Sequence, residues 1–391
     1  MDSAEREGLR PKGNVPNLRF PEFQGEWEKC KLGDLTAKVG SGSTPKGGNA
    51  VYTSAGHCFV RSQNVGMGYL ILDDIAHIDD DIHKKHKATE INEDDVLLNI
   101  TGASIGRTAI ATKEIGGGNV NQHVCIIRAN STVSPKFLCN YIQTKKIQNY
   151  IQSLQTGGSR EGLNFEQIRS FPISLPNMAE QNKIAQLLDK LNERIATQNK
   201  IIEDLKKLKC AIAERLFKVT NGEVVALSEV CNIQKGKQVN GDCLSETGTY
   251  YVMNGGTEPS GYYEQCNAPA DTISISEGGN SCGYIQYNRE AFWSGGHCYT
   301  LTDIQPNVCN LYLYHYLKSK ESAIMKLRIG TGLPNIQKKD LEKFAVLLPP
   351  VAKQVRISTF LTAIERKTTN EEILLSHFQE EKQYLLRQMF I

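Results

Sequence analysis

The chain has 391 residues, too many for one ordinary hydrophobic core, so two or three domains of ~100 to 200 residues each are expected. Hydrophobic residues at 40% and charged residues at 23% suit a globular chain, and no run approaches the ~20 apolar residues that span a bilayer, which argues against a helical membrane protein. A net charge of +2 excludes a global cationic field, and 11 cysteines scattered singly, without a C-x-x-C pair, argue against a zinc module or a disulfide framework.

In chain order, Met1–Pro16 is polar and lacks the apolar run of a signal peptide, so it is expected to be flexible and the chain to be cytoplasmic. Residues 1–155 read as a first domain of short β-like runs broken by Gly and Asn, with an amphipathic helix near its end. Residues 156–222 hold a long helix over about 179–217, residues 223–330 a second β-rich domain, and residues 331–391 a second long helix over about 352–390.

The two helical segments are copies. Ile168 to Phe217 realigns without a gap on Leu341 to Phe390, a shift of 173 residues that brings Phe171 onto Phe344, Pro176 onto Pro349 and Gln181 onto Gln354. Each copy carries an apolar seam spaced alternately by 4 and 3, the signature of a coiled coil. The first seam runs Ile184, Leu188, Leu191, Ile195, Ile202, Leu205, Ile212, Leu216, and the second Ile357, Leu361, Ile364, Leu375, Phe378, Leu385, Met389. Polar interruptions coincide as well, Gln198 with Glu371 and Lys209 with Lys382. Helices of ~38 residues would each be ~57 Å long and need a partner for the apolar face, which the other copy supplies in antiparallel packing. The domains repeat more weakly. Asp95–Ile100 is set against Asp271–Ser276, Gln122–Cys125 against Gly296–Tyr299, and Phe137–Ile142 against Tyr312–Leu317. The expected class is α+β: two globular domains separated by two long antiparallel helices forming a coiled coil, with an internal pseudo-twofold repeat.

Enzymatic signatures are missing. No glycine-rich cofactor loop precedes an N-P-P or D-P-P tetrapeptide, so methyl transfer is not expected of this chain. Gly102 to Thr108 is similar in letters to a phosphate loop but is one residue short and has Arg107 in place of Lys. The triplets Glu365-Arg366-Lys367 and Glu380-Glu381-Lys382 contain the E-x-K piece of a nuclease, yet both fall inside a helix where such residues form i,i+4 pairs. His77, His83 and His86 beside Asp79–Asp81 read as a solvated loop more readily than as a metal cluster. No metal site and no catalytic residue are assigned.

At this point the chain resembles the specificity subunits of type I restriction-modification systems. The resemblance is carried by Pro16–Leu35 (PNLRFPEFQGEWEKCKLGDL), Asp94–Arg107 (DDVLLNITGASIGR), Asn121–Arg128 (NQHVCIIR) and Ala179–Leu191 (AEQNKIAQLLDKL), and above all by the order domain, helix, domain, helix. It implies a non-catalytic subunit whose two domains each read one half of a split, asymmetric site on double-stranded DNA. It further implies that the helices set the separation and dock the methyltransferase subunits, expected to be two, with a restriction or translocase subunit as a further partner. S-adenosylmethionine would be bound by the methyltransferase and no cofactor by this chain. The competing reading is a coiled-coil adaptor for proteins, kept alive by the near-neutral charge and by 7 basic against 11 acidic residues within 223–330.

Base edges in the major groove are read by Arg or Lys on guanine and Asn or Gln on adenine, displayed on loops. Candidates of this chemistry in the first domain are Arg61, Gln63 and Asn64, Arg107, and Asn121 with Gln122. Ser159 and Arg160 follow a Gly-Gly pair before the first helix, where backbone amides can approach phosphates. The second domain offers Lys235, Lys237, Asn254, Asn280 and Arg289 among many tyrosines, which are expected in the core more often than on an extruded base.

Overall fold

The computed structural model describes residues 13–155, 162–330, 332 and 334–391. Two compact units divide the chain: residues 1–199 with 374–391, and residues 200–373. Each unit therefore contains one β-rich domain and parts of both long helices. Of the expected flexible N-terminus, residues 1–12 lie outside the described residues, as do Ser159 and Arg160.

The first unit begins with β1 (Glu28–Lys31), β2 (Thr36–Ser41), β3 (His57–Val60), β4 (Ala76–Ile78) and a short helix α1 (Asp80–Lys85). It continues with β5 (Val96–Asn99), β6 (Thr108–Ile110), β7 (Asn119–Val120), β8 (Val124–Ala129), α2 (Pro135–Ile142), α3 (Lys145–Ser153), α4 (Phe165–Arg169) and β9 (Pro172–Leu175). A four-stranded sheet has the order β2-β8-β5-β6 and a three-stranded one β4-β3-β7, while β1 and β9 form a separate pair. All four residues of β5, Val-Leu-Leu-Asn, are buried because both faces of the larger sheet are covered. Val96 and Leu98 join the core containing Phe137, Leu138 and Tyr141 of α2. Leu97 joins the one containing Val60 and Val120 of the smaller sheet.

The second unit repeats the plan with β10 (Glu223–Ala226), α6 (Leu227–Val230), β11 (Asn232–Lys235), β12 (Tyr250–Met253), β13 (Tyr262–Tyr263), β14 (Thr272–Ser276), β15 (Ile285–Asn288), β16 (Trp293–Ser294) and β17 (Cys298–Thr302). Helices α7 (Asn310–Ser319), α8 (Glu321–Met325) and α9 (Lys338–Glu342) and strand β18 (Ala345–Leu348) follow. Its sheets, β11-β17-β14-β15 and β13-β12-β16, match those of the first unit strand for strand, and β10 pairs with β18. Here the central strand reads Thr-Ile-Ser-Ile-Ser. Ile273 and Ile275 face the core with Tyr312 and Leu313 of α7, and the serines face a polar layer. In that layer the Ser274 hydroxyl accepts from Asn288 at 2.9 Å and the Ser276 hydroxyl donates to the Gly255 carbonyl at 2.6 Å.

The structure corrects the repeat alignment in this strand by one residue. Asp94 (φ 67°) and Asp271 (φ 58°) are the two left-handed residues that precede β5 and β14, so Asp94, and not Asp95, corresponds to Asp271. The cross-strand partners agree, with Asn99 opposite Val124 and Ser276 opposite Cys298. A one-residue slip turns every side chain of a strand to the other face, which is why the correction matters.

Helix α5 spans Met178–Val219, slightly longer than expected, and α10 spans Val351–Gln388. Asn177 starts α5, its side-chain oxygen accepting from the Glu180 amide at 3.0 Å. Within the first unit, Ile184 and Leu188 share a core with Leu386, Met389 and Phe390, and Arg194 lies over the Phe378 ring. Within the second, Lys206 meets Glu372 at 2.6 Å, Lys209 meets Glu365 at 2.8 Å, and Ala213 and Phe217 share a core with Ile357 and Leu361. Rising numbers on α5 meet falling numbers on α10, so the pairing is antiparallel in each unit. Every seam residue named from the sequence is buried or half-buried, whereas Leu187, Ile201, Leu208, Ile373 and Tyr384, outside the seam, are exposed.

Gln181 and Gln354 show why the repeated helix starts so uniformly. Gln181 Oε1 accepts from the Ser134 amide at 2.8 Å and its Nε2 donates to the carbonyl of Pro176 at 2.8 Å. Gln354 does the same to the Cys309 amide at 2.8 Å and the Pro349 carbonyl at 2.9 Å. One divergence in these starts also has a physical reason. Glu180 is fully buried and takes a two-pronged bond from Arg19, both arms at 2.8 Å, while the equivalent Lys353 is exposed. Arg19 belongs to the stretch before β1, where Leu18 donates its amide to the Gln388 carbonyl at 2.8 Å. The second domain follows α5 after only Thr220–Gly222 and has no such stretch.

Candidate nucleic-acid interface

Antiparallel pairing gathers particular loops at one end of each large sheet. In the first unit Ser41 lies opposite Cys125 and Asn99 opposite Val124, so the exits of β2 and β5 adjoin the entry to β8. In the second, Lys235 lies opposite Tyr299 and Ser276 opposite Cys298, which joins the exits of β11 and β14 to the entry of β17. The chain passes close to its neighbour there. A Cβ on Gly42 would sit 1.6 Å from the Val120 carbonyl oxygen, and one on Gly236 2.2 Å from that of Gly295. Only glycine fits such crossings.

At the first unit's end Gln63, Arg107 and His123 line an open cleft together with Thr101 and Ser104, and Gln122 lies against His123 at 3.3 Å. Arg107, Gln63 and Gln122 are exposed. Gly102–Ser104 forms a single 3-10 turn, so the stretch similar to a phosphate loop is a tight turn placing Arg107 beside the cleft. Arg61 is engaged elsewhere, donating to the Asp74 carbonyl at 3.0 Å and lying over the Tyr52 ring. Asn64 and Asn121 turn inward. Asn64 accepts from the Arg61 amide at 3.0 Å and donates to the Ile71 carbonyl at 2.9 Å, and Asn121 accepts from the His123 amide at 3.0 Å. Both asparagines shape loops from buried positions, which removes them from the groove-facing set.

The second unit's end holds Lys235, Lys237, Asn254 and Asn280 together with Glu277 and His297. Glu277 Oε1 accepts from Lys235 at 2.5 Å and from the Tyr299 hydroxyl at 3.2 Å, and Oε2 lies 3.4 Å from His297 Nδ1. Asn254 accepts from the His297 amide at 3.1 Å. Arg289 is not part of this group, since it follows β15, whose end pairs with the start of β14 at Thr272–Asn288, at the opposite edge of the sheet. The tyrosines are packed. Tyr251 stacks on Phe292 at 5.5 Å, Tyr263 meets Trp293 edge-on, and Tyr287 lies against Tyr314.

The three histidines do not form a solvated loop: His77 lies in β4, His83 is buried in α1, bonds Asn119 at 2.8 Å and stacks on His57 at 3.7 Å, and His86 bonds Ser43 at 2.9 Å. Thr101, His123, Glu277 and His297 were missed as site residues. The signal available was the histidine repeated before β8 and β17, which the alignment paired without assigning a role.

The family model for the type I restriction modification DNA specificity domain matches residues 24–207 and again 220–376. The chain belongs to this family. The two matches correspond to the two structural repeats. A relative in Mycoplasma pneumoniae, named as a type I specificity subunit, is 33% identical over 131 residues, 33% of this chain and 34% of that one. Another in Mycoplasma genitalium, named likewise, is 24% identical over 234 residues, so the chain spans about a third and 60% of these two relatives. A type I restriction enzyme specificity subunit of Methanocaldococcus jannaschii is 21% identical over 389 residues, 90% of each chain. The crystal structure of the type I S subunit from M. genitalium has a TM-score of 0.67 at 18% identity and covers 96% of this chain and 99% of that one, a likeness of fold. No helix among the described residues is long and apolar enough to cross a membrane.

Proposed function

We propose that this chain reads an asymmetric, bipartite target on double-stranded DNA, one half-site per unit, and directs methyltransferase and restriction subunits to it without catalysing either reaction. The observation that carries this reading is one loop end displayed twice on matching sheets with different chemistry: Gln63, Arg107, Gln122 and His123 in one unit, Lys235, Lys237, Glu277 and His297 in the other. Equal scaffolds with unequal side chains suit two different half-sites. Exposed apolar residues on the long helices, among them Leu187, Leu208, Phe360 and Ile373, support a helix surface for docking methyltransferase subunits, expected as a pair, which would supply the S-adenosylmethionine site. The test is base-resolution methylation mapping of cells with and without the gene, followed by exchange of residues 223–330 for the matching domain of a relative. One split motif should vanish with the gene, and only one half should change on exchange. Change in both halves would refute the modular reading. DNA affinity without salt dependence would favour the protein-adaptor alternative.

A further inference from the structure

His123 is the one ring of the first unit's loop cluster whose protonation pattern the surrounding network dictates. The Thr44 amide donates to Gln122 Oε1 at 3.0 Å, which fixes the orientation of that side-chain amide. Its Nε2 then faces His123 Nε2 at 3.3 Å. An amide NH2 can only donate, so His123 Nε2 must accept, and the ring proton sits on Nδ1, donated to Thr101 Oγ1 at 2.6 Å. The backbone is pinned too, since the His123 amide donates to Asn121 Oδ1 at 3.0 Å and its carbonyl accepts from the Ile100 amide at 3.0 Å. The result is a lone pair held in place on a ring that lines an open cleft of about 390 Å³, together with Gln63, Ser104 and Arg107. Its present partner is at the long end of hydrogen-bond range and on an exposed residue, so a shorter bond can displace it.

We infer that His123 Nε2 is a specificity-determining acceptor that reads an exocyclic amino group, adenine N6 or cytosine N4, at one base pair of the first unit's half-site. Guanine and thymine display only acceptors at the corresponding major-groove positions and would face the lone pair with another. This rests on the DNA-reading function proposed above and assigns it a residue. The second unit shows the same position set differently. The Glu277 amide donates to the His297 carbonyl at 2.9 Å as that of Ile100 does to His123, but Gly296 stands where Gln122 does and the ring's Nδ1 faces a carboxylate 3.4 Å away. The inference therefore concerns the first half-site alone.

The test is selection from a randomised duplex DNA library by the full chain, assayed alone and with its methyltransferase subunits. The variants are His123→Asn, which keeps a donor near Nδ1 but has nothing at Nε2, and His123→Gln, whose amide reaches the Nε2 position. His123→Asn should relax the preference at one base pair of one half-site by about tenfold, with the other positions and the salt dependence unchanged, and His123→Gln should restore part of it. A wild-type split motif that His123→Asn leaves intact would overturn the inference while leaving the function standing. A uniform loss of affinity with the salt slope lowered by about one would also overturn it, because that marks a phosphate contact. If the wild-type chain selects no motif in either form, the functional reading itself fails and the inference with it.

Discussion

Lys209 and Lys382 occupy the same polar break in the two helical repeats, yet the same substitution should act on them with opposite sign. Lys209 Nζ bonds Glu365 at 2.8 Å, and that carboxylate also accepts from the Tyr314 hydroxyl at 2.9 Å. Burial pushes the Glu365 carboxyl up, but the charge and hydrogen bond of Lys209, with smaller contributions from His315 and the Tyr314 hydroxyl, hold the pKa below the usual value. Lys382 is buried, donates to the neutral Gln143 Oε1 at 2.9 Å, and its pKa is pushed down by desolvation. Lys209→Met strands a carboxylate. Breaking a fully buried pair costs ~3–5 kcal/mol and an exposed one ~0–1, and these side chains, 20% and 27% exposed, fall between at about 2 kcal/mol. Lys382→Met removes a charge desolvated beside a neutral amide and should be neutral or stabilising by about 1 kcal/mol. Because a two-unit chain need not unfold in one step, the assay is hydrogen exchange read from separate peptides. Exchange across 200–219 and 351–373 should quicken about 30-fold in Lys209→Met, from 1.4 kcal/mol per factor of ten. Exchange across 374–388 should stay equal or slow in Lys382→Met. The pH dependence should differ as well. The unfolded state holds the Lys382 proton up to about 10.5 and the folded state releases it earlier, so the wild-type first unit should gain stability as pH rises through that window and Lys382→Met should not. Equal signs for the two variants would refute the reasoning.

Burial lowers the His315 pKa to about 4, so the unfolded chain takes up a proton that the folded unit refuses: stability should fall from about pH 6.5 and be lost by about 4, by roughly 3 kcal/mol, and His315→Gln should flatten that slope in acid exchange measurements. Arg19→Ala should destabilise the first unit by about 3 kcal/mol by leaving Glu180 buried and unpaired, whereas Lys353→Ala at the matching place should change exchange protection by less than about 0.5 kcal/mol. Four residues inserted after both Gln198 and Glu371 should keep the seams nearly in phase and lengthen the unread spacer in a methylome by at most about two base pairs, and a two-residue insertion should abolish activity by turning the seam through ~200°. An unchanged spacer after the four-residue insertion would show that the helices do not set it.

The helices were legible because their signal is long and periodic. A seam of alternating spacing sustained from Ile184 to Leu216, repeated from Ile357 to Met389, can belong to little else, and the burial of Ile184, Leu188, Ile357 and Leu361 follows from it. The strands were harder. Asp95 and Asp271 each precede a β-like run, and pairing them misplaces the strand by one residue; the left-handed backbone that sets the true register is at Asp94, which residue type cannot tell from its neighbour Asp95. Site residues were least legible. Asn64 and Arg107 are equally suited to DNA by chemistry, but Asn64 is buried and folds back on the Arg61 amide while Arg107 is exposed. Which of two polar loop residues points outward depends on backbone partners far away in sequence, such as Thr44 beside Gln122.

The internal repeat separates two kinds of requirement within one chain. Gly42 with Gly236, Asp94 with Asp271 and Gln181 with Gln354 stay alike because each meets a backbone constraint that recurs wherever this unit is built: a crossing too close for Cβ, a left-handed turn, a helix start with a buried amide to satisfy. Where the two copies differ, the constraint is a local partner or a ligand. Glu180 needs Arg19 and becomes Lys353 where no arginine stands, and Lys209 has Glu365 where Lys382 has Gln143. The loop ends differ most, with a hydroxyl behind His123 and a carboxylate behind His297, on strands whose backbone bonds are the same. Backbone-defined positions thus hold the sheet ends in one geometry, and the side chains placed there are free to change without disturbing it. That freedom is what a protein needs if its two halves are to read different DNA with one architecture.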